Sequence, residues 1–225
     1  MASPTIVFDL DGTLIDTAPD LIDTLNTILE RHEIAPVAFD AARTMIGAGV
    51  KPLLQRALAS KGLHYPPEHI DRLFAEYLEV YAVHIADRSR PFPGVERALD
   101  ALGAQGWRLA VCTNKLEGLS VKLLEELGLA QRFAAICGQD TFKMRKPDPD
   151  MLRLTIARAG GDTGHAVMVG DSETDVATAR AAAVPVIAVD FGYTEKPPGE
   201  LGADRLISHF DMLAEAVMAL AAARA

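Results

Sequence analysis

The sequence predicts an α/β protein: a parallel sheet with helices on both faces, interrupted near its start by an all-helical insertion. Three observations predict it. Thr5-Ile-Val-Phe8 is a short β-branched and apolar run with no helical period, which reads as a strand buried on both faces. Residues 17–86 carry helical stripes and no convincing strand; an all-helical block after a first buried strand reads as a unit separate from the sheet. From Arg90 onward helix and strand patterns alternate, as in a parallel sheet with right-handed crossovers. The expected division is a core of residues 1–16 and 87–225 and a cap of residues 17–86.

Each element follows from local chemistry. Pro19 suits the first turn of a helix, and Leu21, Ile22, Leu25, Ile28 and Leu29 then follow a helical stripe. Pro36 ends that run, and Asp40 is expected to cap a short helix through Met45. Gly47-Ala-Gly49 breaks the chain before Leu53, Leu54, Ala57 and Leu58 give another amphipathic set. Pro66-Pro67 opens a longer helix striped by Ile70, Leu73, Phe74, Tyr77, Leu78 and Tyr81; the stripe assigns both tyrosines to packing. After Arg90-Pro-Phe-Pro-Gly94 come a helix over 95–102, a strand over 107–112, a helix over 119–127 closed by Gly128, and a strand over 133–137. A helix over 149–159, a strand over 165–169, a helix over 174–183, strands over 185–189 and 205–207 and a closing helix over 210–223 complete the pattern.

The totals narrow the function. The chain has 225 residues and a net charge of −9, with 49% hydrophobic and 24% charged residues. That is long enough to bury a core without staples. The acidic balance argues against nucleic acid as a partner but not against a small anionic substrate, because local cations and a metal outweigh the global sign. Cys112 and Cys137 read as buried free thiols, and no zinc-type Cys/His spacing occurs. No run approaches the ~18 apolar residues of a membrane span, and the N-terminus lacks the features of a signal peptide. The expectation is a soluble cytoplasmic protein, monomer or homodimer, with no membrane partner.

In such sheets ligands bind beyond the carboxyl ends of the strands. Asp9 and Asp11 sit there, then Thr113 and Asn114, then Lys146, then Asp171 and Asp175. Gly12 lets the backbone turn or approach a ligand. A carboxylate at this place can attack phosphorus, and a second acid two residues on can give and take the proton. Magnesium prefers oxygen ligands; Asp9, Asp171 and the Asp11 carbonyl are candidates to hold it. Thr113 and Lys146 are placed to hold phosphoryl oxygens, since phosphoryl transfer is mostly positioning and charge stabilisation.

Asp9-Leu-Asp-Gly-Thr13, Thr113-Asn-Lys115, Lys146-Pro-Asp-Pro149 and Gly170-Asp-Ser-Glu-Thr-Asp175 resemble the four motifs of the haloacid dehalogenase superfamily. The resemblance implies a Rossmann-like core with a helical cap inserted after the first motif. It implies Asp9 as nucleophile, Asp11 as general acid and base, Thr113 and Lys146 as phosphate binders, and Mg²⁺ at Asp9, Asp11 and Asp171, with Asp175 in the metal shell or orienting it. Within the superfamily the chain is similar to bacterial phosphoglycolate phosphatases. That similarity rests on Asp16-Thr-Ala-Pro-Asp20, on Arg43 with Ile46-Gly-Ala-Gly49 and Gln55-Arg-Ala-Leu58, and on Phe92-Pro-Gly94, Val111-Cys-Thr-Asn-Lys115 and Phe191-Gly-Tyr193. Leu116, Ala183 and the stretch Phe142-Lys-Met-Arg145 depart from the usual pattern.

A phosphoglycolate site also has to meet a carboxylate. Arg43, Gly47, Gly49, Lys51 and Arg56 are the cap candidates; Arg43 and Arg56 stand between substrate contact and structural salt bridge, and the glycines between substrate amides and a helix-ending turn. The function expected is a Mg²⁺-dependent phosphomonoesterase for a small anionic phosphorylated metabolite, phosphoglycolate first. Pyrophosphate, a nucleotide monophosphate or another sugar phosphate are alternatives, as are a phosphoglucomutase-like relative and a non-catalytic phosphometabolite-binding module.

Overall fold

The computed structural model describes residues 3–194 and 196–222. Strand β1 (Thr5–Phe8) is buried along its whole length. It lies inside a six-stranded sheet, every neighbouring pair of which is parallel. In chain order the other strands of this sheet are β4 (Arg108–Cys112), β5 (Ala135–Cys137), β6 (Ala166–Gly170), β7 (Val186–Val189) and β8 (Arg205–Ile207). The spatial order is β5-β4-β1-β6-β7-β8. The chain therefore builds outward on one side of β1 and then returns to build on the other. Such a reversal opens a crevice at the carboxyl end of the strand where it occurs. In register, Phe8 faces Val111 on β4 and Val169 on β6, so the residues that follow these strands emerge side by side.

Alternation along β1 divides the core. Ile6 and Phe8 pack with α5 (Val95–Ala104), α6 (Glu117–Glu126) and α9 (Leu213–Ala222), through Val95, Leu99, Leu123 and Val217. Val7 faces the other side, toward Met151 and Ile156 of α7 (Pro149–Arg158) and Val176 of α8 (Glu173–Ala181). The expected end of the closing helix at Ala223 lies outside the described residues.

Over residues 17–86 the chain makes four helices, α1 (Ala18–Arg31), α2 (Phe39–Arg43), α3 (Val50–Ala59) and α4 (Pro67–Val83). Helix α4 packs on α1 and α3, and the Tyr77 hydroxyl donates to the Leu21 carbonyl at 2.9 Å. The way out and the way back run together: β2 (Ile15–Asp16) pairs antiparallel with β3 (Arg90–Pro91). These two-residue strands are too short to show any period in the sequence. Buried Asp20 pins the junction, accepting from Arg88 N–H, Ser89 N–H and the Ser89 hydroxyl.

Two local expectations are corrected. Asp40 does not cap α2; Ala38 occupies the cap position, and Asp40 lies in the first turn, where a carboxylate still complements the helix dipole. The sheet strands after Trp107 and Phe133 begin at Arg108 and Ala135. Both aromatics are half-buried and pack against the core from outside the strands. Cys112 and Cys137 are buried free thiols, as expected.

Candidate active site

Asp9 follows β1 directly. Its N–H donates to the Val169 carbonyl at 2.9 Å, so the ladder to β6 fixes where its carboxylate starts. Lys146 reaches it from the loop after β5: Nζ stands 2.8 Å from Asp9 Oδ1 and 2.5 Å from Asp175 Oδ1. The backbone of Lys146 is itself clasped by Asn114, whose Oδ1 accepts from Lys146 N–H at 2.8 Å while Nδ2 donates to Lys146 O at 3.2 Å. Asn114 is thus a positioning residue for the lysine.

The two acids after β6 are held in different ways. Ser172 caps α8, and Asp175 completes a capping box with it. Asp175 Oδ2 accepts from the Ser172 N–H and hydroxyl, and Oδ1 accepts from Lys146. Asp171 accepts from the Thr13 hydroxyl on Oδ1 and from Tyr193 N–H on Oδ2, both at 2.8 Å. The backbone crowds this carboxylate: a Cβ on Gly12 would lie 2.6 Å from Asp171 Oδ2, and φ there is +84°. Glycine at position 12 is required on both counts.

Oxygens of Asp9, Asp171 and Asp175 lie within 4.8 Å of one another, all buried. One lysine faces these three carboxylates. Asp9 Oδ1, though close to Lys146, has no partner in hydrogen-bonding geometry. Burial first, and then repulsion from Asp175 and Asp171 against the pull of Lys146, pushes the Asp9 carboxyl above the usual carboxylate range. Asp171 is raised by burial and by Asp175. Burial opposes the charge on Lys146, but Asp175 and Asp9 outweigh it and hold the ammonium protonated. An excess of buried, close-set carboxylate oxygen with one unsatisfied atom is the donor set a hard divalent cation takes. The residues present fit Mg²⁺.

Asp11 lies on the open side. Lys115 Nζ donates to Asp11 Oδ1 at 3.0 Å and Oδ2 at 3.3 Å, and to the Tyr81 hydroxyl at 2.8 Å. Thr113 Oγ1 accepts from Lys115 N–H at 3.2 Å, leaving the hydroxyl hydrogen available to a ligand. A cavity opens over this group. Asp9, Asp11, Thr113, Asn114 and Lys115 form its core wall, and Leu21, Ile46, Leu53, Leu78 and Tyr81 are on its cap wall. Gly47 and Gly49 also line it, and a Cβ on Gly49 would stand 3.5 Å from the Asn114 carbonyl.

The structure brings Asp9, Asp11, Gly12, Thr113, Asn114, Lys146, Asp171 and Asp175 together, as expected. Arg43 and Arg56 are elsewhere: neither lines the cavity. Arg43 donates to the Phe191 carbonyl at 3.0 Å and the Gly192 carbonyl at 3.3 Å and lies over the Tyr193 ring. Arg56 donates to the Met45 carbonyl at 3.0 Å. Both donate to carbonyls in turns, and among the described residues neither forms a salt bridge. Lys51 pairs with Asp71 at 2.5 Å on the surface. Lys115 and Gln139, of which no role was expected, line the cavity, and so does Tyr81, which its stripe assigned to packing. For Lys115 the signal was its place in the Thr-Asn-Lys triplet. For Tyr81 it was a buried phenol, whose hydroxyl needs a partner even on an apolar stripe.

Comparison with known proteins accords with this geometry. A profile of haloacid dehalogenase-like hydrolases matches residues 6–189. A phosphoglycolate phosphatase of Mesorhizobium japonicum is 50% identical, the match covering 95% of this chain and 94% of that protein. One from Agrobacterium fabrum is 46% identical over 96% and 92%. The crystal structure of a predicted phosphoglycolate phosphatase from Haemophilus somnus superposes with a TM-score of 0.88 at 27% identity, covering 95% of this chain and 97% of the other.

Proposed function

The chain belongs to the haloacid dehalogenase-like hydrolases, and from that premise we propose that it is a Mg²⁺-dependent phosphomonoesterase whose substrate is 2-phosphoglycolate. The observation that carries the chemistry is Asp9: a buried carboxylate with an unsatisfied oxygen, between Lys146 and Asp171, at the floor of a cavity. The substrate is carried over from the relatives' names.

In this reading an Asp9 oxygen attacks phosphorus and the ester P–O bond breaks. The bonding pair leaves with the alkoxide, which takes a proton from Asp11 and departs as glycolate. Water then gives a proton to Asp11, its oxygen attacks phosphorus, and the Asp9–phosphorus bond breaks to release phosphate. Lys146 and Thr113 hold phosphoryl oxygens throughout. Asp9, Asp171 and the Asp11 carbonyl would hold Mg²⁺, which offsets the repulsion between the substrate's phosphate and the buried acids. Asp175, with both oxygens occupied by Lys146 and Ser172, fixes the lysine. Residues 17–86 act as a cap domain that covers the site and excludes water.

A phosphate-release panel tests the reading, with phosphoglycolate, pyrophosphate, a nucleoside monophosphate and a sugar phosphate, each in Mg²⁺ and in EDTA. Phosphoglycolate ranks first, and EDTA stops release. A low rank contradicts the substrate; full activity in chelator contradicts the metal. Tight phosphoglycolate binding in Mg²⁺ without turnover would instead describe a non-catalytic module.

A further inference from the structure

We propose that Lys115, braced by Tyr81, takes the carboxylate of the substrate and sets the enzyme's preference for an acid-bearing phosphomonoester; this rests on the phosphoglycolate reading. Among the described residues lining the cavity Lys115 is the only cation. The arginines expected to do this work are committed to backbone carbonyls outside it.

Position supports the assignment. Asp11 must reach the ester oxygen to protonate it. In phosphoglycolate the carboxylate is separated from that oxygen by one methylene. A cation for the carboxylate therefore has to stand next to Asp11, on the side away from Asp9. Lys115 Nζ is 3.0 Å from Asp11 Oδ1, is almost wholly shielded from solvent, and is stacked on the Tyr81 ring at 4.5 Å. Its long stem is buried, so its ammonium is pre-placed and little entropy is lost on binding.

Tyr81 adds a second donor. Its hydroxyl accepts from Lys115, and among the described residues no acceptor takes its own hydrogen. Burial first, and then the charges of Asp11 and Asp20, holds that proton on the phenol. A carboxylate between Lys115 and Tyr81 would receive one charge-assisted and one neutral hydrogen bond. The nearby cap side chains Ile46, Leu53 and Leu78 are apolar and give an anion no side-chain partner. Tyr81 belongs to α4, so the carboxylate would bind where cap and core meet.

The test compares kcat/KM for phosphoglycolate and for ethyl phosphate, which has the same carbon count and no carboxylate. Wild type prefers phosphoglycolate. Lys115→Met lowers the ratio about 10- to 100-fold, and Tyr81→Phe lowers it about 3- to 10-fold. Lys115→Gln, which keeps a polar tip without the charge, behaves like Lys115→Met and replaces it if the latter is not folded by circular dichroism. An unchanged ratio overturns the proposal. Equal losses on both substrates also overturn it, since Lys115 would then only position Asp11. A wild type with no preference removes the substrate reading itself; a wild-type preference that the Lys115 variants keep removes this inference alone.

Discussion

On the core side of the site the three buried acids are each held by a different element: Asp9 by the β6 ladder, Asp171 by Thr13 and Tyr193, Asp175 by the α8 cap. On the cap wall the residues are mostly apolar, and Tyr81 brings the one hydroxyl that meets the charged groups. The core wall is over-determined, so a change there disturbs several partners at once. The cap wall is a shaped surface in which one side chain can change without moving the next. In the proposed reading the chemistry belongs to the first side and the choice of substrate to the seam between the two.

The widest gap between the walls is expected at Asp9. Asp9→Asn lowers the rate of phosphate release at least about 10⁴-fold, whereas Leu53→Met on the cap wall changes kcat/KM only a few-fold. A comparable loss at Leu53 would break the comparison. Next come two glycines that share a left-handed φ. Gly12 has φ +84° and no room for a Cβ beside Asp171; Gly47 has φ +115° and open space. Gly12→Ala is expected to abolish the rise in Tm on adding Mg²⁺. Gly47→Ala keeps that rise and costs about 1–2 kcal/mol of stability from backbone strain alone, read by denaturant unfolding.

The pH dependence of stability separates the walls again. Asp9 and Asp171 hold their carboxyl protons more tightly folded than unfolded, by burial first and then by acid–acid repulsion. Across the interval between the ordinary carboxylate range and the raised one, the folded chain binds more protons than the unfolded chain. Its stability is therefore greatest at the acid end and is lost as pH rises. In EDTA, Asp9 and Asp171 lower Tm between about pH 4 and about pH 8, and saturating Mg²⁺ flattens that slope. Asp9→Asn flattens part of it without metal. The smallest effect concerns the junction of the two regions. Asp20→Asn weakens the clasp on Arg88 and Ser89 and costs about 1–3 kcal/mol in denaturant unfolding.

The same contrast explains what the sequence discloses. Asp9, Thr113, Lys146 and Asp171 follow buried strands or the loops after them, and a parallel sheet forces such residues to one edge; their convergence was legible. The hinge strands were not, because two residues carry no period. A positive charge in a cap suggests an anion, but carbonyls in turns compete for the same guanidinium, as at Arg43 and Arg56. Tyr81 was hidden by its own stripe: helical spacing reports which face is buried but not that a hydroxyl at its tip meets an ammonium from another element.

The most direct test of the central claim is chemical trapping of residue 9. Enzyme quenched during turnover of phosphoglycolate and reduced with borohydride should carry homoserine at position 9, read by peptide mass spectrometry, since a hydride reduces an acyl phosphate but not a free carboxylate. Homoserine at position 9 that depends on substrate and Mg²⁺ is the predicted result. Unmodified Asp9 in enzyme turning over at its full rate, or modification at another carboxylate, would contradict the account.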